Sequence, residues 1–89
     1  MKINPHKLEP ALNSAIAHKR IEGEHRFHVL VDNLPTGEQL EKLLETGFDV
    51  ESTFDDIITG TTKIDTLGKI TTLDFIRLIA LAHEPHESN

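Results

Sequence analysis

Six histidines fall within 89 residues, and two pairs, His25 with His28 and His83 with His86, have spacings that invite a metal-binding reading. A metal site needs ligands converging on one point. Residues three apart on a strand face opposite sides, so His25 and His28 converge only if the strand starts after His25. His83 and His86 straddle a proline, Pro85, at the end of the chain. Exposed histidines without a metal are the simpler expectation, and no cofactor is expected. Nucleophilic chemistry would draw on Ser14, Ser52 or Ser88, none of which stands in a Gly-x-Ser-x-Gly elbow. Asp55-Asp56 offers two carboxylates, but adjacent acids between strand-like runs read first as turn formers. The glycines Gly23, Gly37, Gly47, Gly60 and Gly68 are dispersed and make no phosphate loop. The residues thus point to a protein without catalytic chemistry.

Composition narrows the classes further. The length suits one domain with one modest core. A formal net charge of −6 and scattered basic residues argue against a nucleic-acid ligand, whose affinity rests on clustered Lys and Arg. Phenylalanine is the sole aromatic type, present four times, which argues against a base-stacking sheet. No cysteine is present, which suits a reducing compartment. Residues 1–9 lack the apolar run of a signal peptide, favouring the cytoplasm. No stretch approaches the roughly 20 apolar residues of a membrane span.

The element that positions everything else is the alternating run Arg26-Phe27-His28-Val29-Leu30-Val31-Asp32, a strand with Phe27, Val29 and Val31 on one face and His28 and Leu30 on the other. Before it, Leu8, Leu12, Ala15, Ile16 and Lys19 fall at helical spacing, predicting a helix over 8–21 that Gly23 ends. After it, Thr36-Gly37-Glu38-Gln39 behind Pro35 is a capping-box signature. A helix follows to about Thr46, with Leu40, Leu43, Leu44 and Phe48 as its apolar stripe and Gly47 as its left-handed stop. Asp49 to Phe54 and Ile57 to Ile64 read as strands joined by a turn at Asp55-Asp56, Gly60 marking a bulge or a close backbone approach. A turn at 65–68 then precedes a last helix, capped by Thr71 or Thr72 and running through Glu84, whose residues Leu73, Phe75, Ile76, Leu78, Ile79, Leu81 and Ala82 are apolar nearly all round.

That order is an α+β fold: a ferredoxin-like split βαβ, with two helices on one face of an antiparallel sheet. It places a helical extension over 1–25 ahead of a ferredoxin-like domain over 26–89, with a fourth strand short or absent. The uncovered sheet face would carry His28, Leu30, Glu51, Thr53, Ile57, Thr59, Thr61 and Lys63. An open face holding Leu30 and Ile57 among threonines is the best candidate for a protein-binding surface.

The motifs also occur in a familiar order. Lys7-Leu8-Glu9-Pro10-Ala11-Leu12, His28-Val29-Leu30-Val31, Leu40-Glu41-Lys42-Leu43-Leu44-Glu45-Thr46-Gly47, Val50-Glu51-Ser52-Thr53-Phe54, Thr59-Gly60-Thr61 and Leu78-Ile79-Ala80-Leu81-Ala82 before Pro85 together resemble the propeptide or inhibitor domain of subtilisin-like serine proteases. The resemblance implies a non-enzymatic domain whose open sheet face docks on two surface helices of the protease. It implies docking by His28, Leu30, Ile57, Thr59 and Thr61, and it makes 86–89, including His86 and Asn89, the fourth strand. In that family an apolar strand and a tail follow the last proline, and the tail lies along the active-site cleft. Here His86-Glu87-Ser88-Asn89 closes the sequence. A small interaction or homo-oligomerisation domain, unrelated to proteases, is the alternative the same face allows.

Overall fold

The computed structural model describes residues 4–82. A 3-10 turn at Pro5–Lys7 leads into α1 (Pro10–Ala17), then β1 (Glu24–Val31), α2 (Gly37–Thr46), β2 (Asp49–Phe54), β3 (Ile57–Lys63), a second 3-10 turn at Ile64–Thr66, α3 (Leu67–Thr71) and β4 (Ile76–Leu81). The strands form one antiparallel sheet in the order β2-β3-β1-β4. No helix among the described residues is long and apolar enough to cross a membrane.

β1 forms where its alternation predicts, and its odd residues Phe27, Val29 and Val31 are fully buried. α2 begins at the capping box: Thr36 Oγ1 accepts from the Gln39 amide at 3.1 Å, and Gln39 Oε1 accepts from the Thr36 amide at 3.1 Å. Gly47 ends the helix at φ 107°, a left-handed conformation that favours glycine. The stripe is narrower than the spacing predicts, since Leu43 is buried while Leu44 is 54 % exposed. Leu43 and Phe48 carry the contact with the sheet instead.

Four boundaries differ from the sequence reading. α1 is shorter than 8–21. It stops because Lys19 turns left-handed at φ 54° while the Arg20 amide bonds Ala15 O and the Lys19 amide bonds Ile16 O, closing the last carbonyls. Gly23, at φ 83°, lies further on and shapes the entry to β1, where its carbonyl accepts from Ile64 N at 2.9 Å. Leu8 is not helical: it bridges Ile79 in parallel, and the Glu9 amide donates to Ile79 O at 2.9 Å. Of the turn expected at 65–68, Asp65 and Thr66 belong to the second 3-10 turn while Leu67 and Gly68 begin α3, which runs through Gly68 because Leu67, Gly68, Ile70 and Thr71 are all buried. The largest correction concerns the last helix. Residues 76–81 are not helical but form β4, pairing along β1 from Phe27↔Leu81 to Val31↔Ile76. The fourth strand is therefore Ile76–Leu81, and the assignment of 86–89 to it lapses; those residues lie outside the described ones.

The core is one cluster on one side of the sheet. Leu8 and Leu12 from the N-terminal segment, Leu43 and Phe48 from the α2 region, and Ile64, Leu67 and Ile70 near α3 join Phe27, Val29, Val31, Ile58, Ile76 and Ile79 of the sheet. Gly60 occupies the centre of β3, and a Cβ there would meet Asp49 O and, at 2.7 and 2.9 Å, the Phe48 ring. The close backbone approach expected of this glycine is thus the Asp49 carbonyl, with the Phe48 ring packed beside it.

Candidate functional site: the uncovered sheet face

Pairing fixes which side chains share the other face, because residues directly opposite on antiparallel strands point the same way. One row runs Phe54, Ile57, Leu30, Leu78 across β2, β3, β1 and β4. The next runs Ser52, Thr59, His28, Ala80. Beyond them, Arg26 lies opposite Thr61, which lies opposite Asp49. No residue of these rows is buried, and Phe54 is 73 % exposed. A large aromatic ring thus stands in water at the end of an apolar row, the most exposed of the large apolar side chains among the described residues.

The polar rows are bonded within the face. His28 Nδ1 lies 2.9 Å from Thr59 Oγ1. Arg26 Nε donates to Glu51 Oε1 at 2.9 Å, and Thr61 Oγ1 donates to Glu51 Oε2 at 3.3 Å. Glu51 reaches these partners because β2 slips register between Val50 and Ser52, a bulge that leaves Glu51 without an opposite residue and re-aims its side chain.

Of the residues expected on this face, His28, Leu30, Ile57, Thr59 and Thr61 are brought together there. Thr53 is not. The two-residue turn at Asp55-Asp56 pairs Phe54 with Ile57 and so puts Thr53 opposite Ile58, on the helix-covered side at its exposed margin, with Ser52 and Phe54 on the open face. His86 and Asn89 lie outside the described residues. Phe54, Leu78 and Ala80 also belong to the face, although the sequence pattern marks Phe54 only as the end of a strand and places the other two in a helix.

Among the described residues the histidines do not converge. β1 already includes His25, so His25 and His28 fall on opposite faces. His25 Nε2 is 2.9 Å from Glu22 O, and its ring meets Phe27 edge-on with centroids 6.5 Å apart. His18 Nδ1 is 3.0 Å from Ser14 O. Among the described residues no three His, Asp or Glu side chains are grouped to hold a metal ion; His83 and His86 lie outside them. The His28–Thr59 contact has the reach of a base and a hydroxyl nucleophile. Among the described residues no carboxylate bonds the imidazole to orient it, and the pair sits on a flat face with no wall to exclude water. It ties a side chain of β1 to one of β3 across the face.

The surface is therefore an uncovered sheet face cross-linked by its own hydrogen bonds, apolar along one row, polar along the next and charged beyond it. Such a surface suits a protein partner better than a small molecule, which needs a concave site. Compared with protein-family models, curated proteins and solved structures, the chain finds no match in any of the three.

Proposed function

We propose that the protein is a non-enzymatic binding module with a ferredoxin-like fold, resembling a subtilase propeptide, which acts through its uncovered sheet face on a protein partner. The observation that carries this reading is the apolar row Phe54, Ile57, Leu30, Leu78 on a face that nothing in the chain's described residues covers. The fold assignment rests on element order: β1-α2-β2 and β3-α3-β4 are two crossovers, each skipping one strand, interleaved in one antiparallel sheet. With the fourth strand at Ile76–Leu81, the run Leu78–Ala82 is part of that strand and not of an element ahead of it, so the reading rests on the open face and the strand order.

The test is a titration of the full chain against a panel of subtilisin-like proteases, reading residual activity and complex formation. The expected result is a complex with at least one protease, weakened when Phe54→Asp or Leu30→Lys places a charge in the row. No inhibition and no complex at micromolar concentrations rules out the protease partner. Inhibition indifferent to both substitutions rules out the face.

A further inference from the structure

We propose that, in the absence of another partner, the uncovered sheet face is occupied by a second copy of this chain, packed face to face about a two-fold axis parallel to the strands. The inference rests on the reading of this face as the interaction surface, and it names one occupant.

The argument starts from the symmetry of the rows. An axis in the plane between the two sheets, parallel to the strands and lying between β3 and β1, exchanges β2 with β4 and β3 with β1. The strand order β2-β3-β1-β4 places one inner pair and one outer pair about that axis. The operation sets Phe54 over Leu78 of the copy and Ile57 over Leu30, so every member of the apolar row meets an apolar side chain. In the next row it sets Ser52 over Ala80 and His28 over Thr59. A self-complementary patch is what a two-fold interface requires, and strands in packed sheets run within about 30° of one another. An axis along the row instead would overlap the two copies only at one end of the sheet.

Charge and edges point the same way. Arg26, Glu51 and Thr61 bond one another within the face, as do His28 and Thr59. Covering them with a copy therefore separates no ion pair, and a strongly charged partner finds little net charge to bind. Edge-to-edge pairing is the competing route to a dimer, and both edges oppose it. The outer side of β4 already holds Leu8 and the Glu9 amide, while β2 carries the bulge at Glu51. Four strands about 4.8 Å apart and about six residues long give roughly 400 Å² of projected face. That is below the roughly 800 Å² per partner of a standard stable interface, which fits a dimer that forms and dissociates with concentration.

The chain has no cysteine, which makes the geometry directly testable by placed thiols. Ser52→Cys with Ala80→Cys leaves the apolar row intact. Within one copy the two thiols lie three strand spacings apart, roughly 14 Å. A bis-maleimide of about 8 Å span cannot join them there, but it reaches between side chains meeting across sheets about 10 Å apart. The expected results are a concentration-dependent dimer of the unaltered chain in sedimentation equilibrium, covalent dimer from the S52C/A80C chain, and little from S52C alone. Phe54→Asp, at an exposed site that leaves folding intact, should raise the dissociation midpoint at least tenfold. A strict monomer at several hundred micromolar, cross-linking of S52C alone as efficient as that of the pair, or a midpoint unmoved by Phe54→Asp overturns the proposal. The protease titration reports separately: a monomer that binds a protease sensitively to Phe54→Asp sinks the dimer alone, and a dimer that binds no protease sinks the protease reading alone.

Discussion

Replacing Gly60 by alanine should be among the most damaging single-methyl additions in this protein. The new Cβ would point into the core from the middle of β3, against the Phe48 ring at 2.7 Å and against the backbone oxygen of Asp49. Phe48 is 1 % exposed and has little room to rotate away. The carbonyl belongs to β2, which pairs with β3 on either side of this point, Asp49↔Thr61 and Val50↔Gly60. Relief thus requires the two strands to part or the aromatic ring to leave its place. Overpacking of a tight core costs about 1–3 kcal/mol when side chains absorb it, and a backbone atom in the contact puts this case at about 3 kcal/mol or above. A domain of this size holds about 4–13 kcal/mol in total. At about 4–8 °C per kcal/mol the melting temperature should fall by about 12–24 °C. The assay is thermal and urea unfolding by circular dichroism, with Gly37→Ala as the control. Gly37 opens α2 with nothing within 4 Å of its Cβ position, so alanine there should leave stability unchanged or raise it by up to about 1 kcal/mol. A Gly60→Ala chain melting within about 3 °C of the original would refute the packing argument. The substitution also bears on the candidate site, because the register slip that leaves Glu51 without an opposite residue adjoins the Val50↔Gly60 pair. Faster amide exchange along β2 in any folded Gly60→Ala population is the matching local readout.

Two further predictions separate elements that spacing alone treats alike. Leu43 is fully buried and Leu44 is 54 % exposed, so Leu43→Ala should cost about 2–5 kcal/mol and Leu44→Ala less than about 0.5 kcal/mol by chemical denaturation; equal losses would contradict the orientation of α2. Lys19 ends α1 in the left-handed region at φ 54°, so Lys19→Gly should raise stability by about 0.5–1 kcal/mol, and a clear loss in the same assay would contradict that cap.

Local chemistry in the sequence determined α2 and β1. Thr36, Gln39 and Gly47 mark both ends of α2 through side-chain caps and a left-handed glycine that need no distant partner. The alternation of Phe27, Val29 and Val31 with His28 and Leu30 identified β1 and which of its faces is buried, because one side of β1 meets the core and the other is half-exposed. His28, Leu30, Ile57, Thr59 and Thr61 were legible as members of one open face for the same reason. Residues 76–81 were not legible, since a short apolar run has no period of its own when both of its faces are covered or apolar: Ile76, Ile79 and Leu81 face the helices while Leu78 and Ala80 complete the open rows. Only the partners, β1 on one edge and Leu8 on the other, decide that this run is a strand. The same holds for the bulge in β2, which turned Glu51 toward Arg26 and Thr61, and for α3, whose Gly68 and Thr71 are poor helix formers held by burial and by the Thr71 hydroxyl donating to Gly68 O at 3.0 Å. Pairing and packing join residues far apart in the chain, and their energies exceed the local preferences of a run this short; that is why tertiary structure settled the fourth strand and, with it, the row of side chains where a partner would bind.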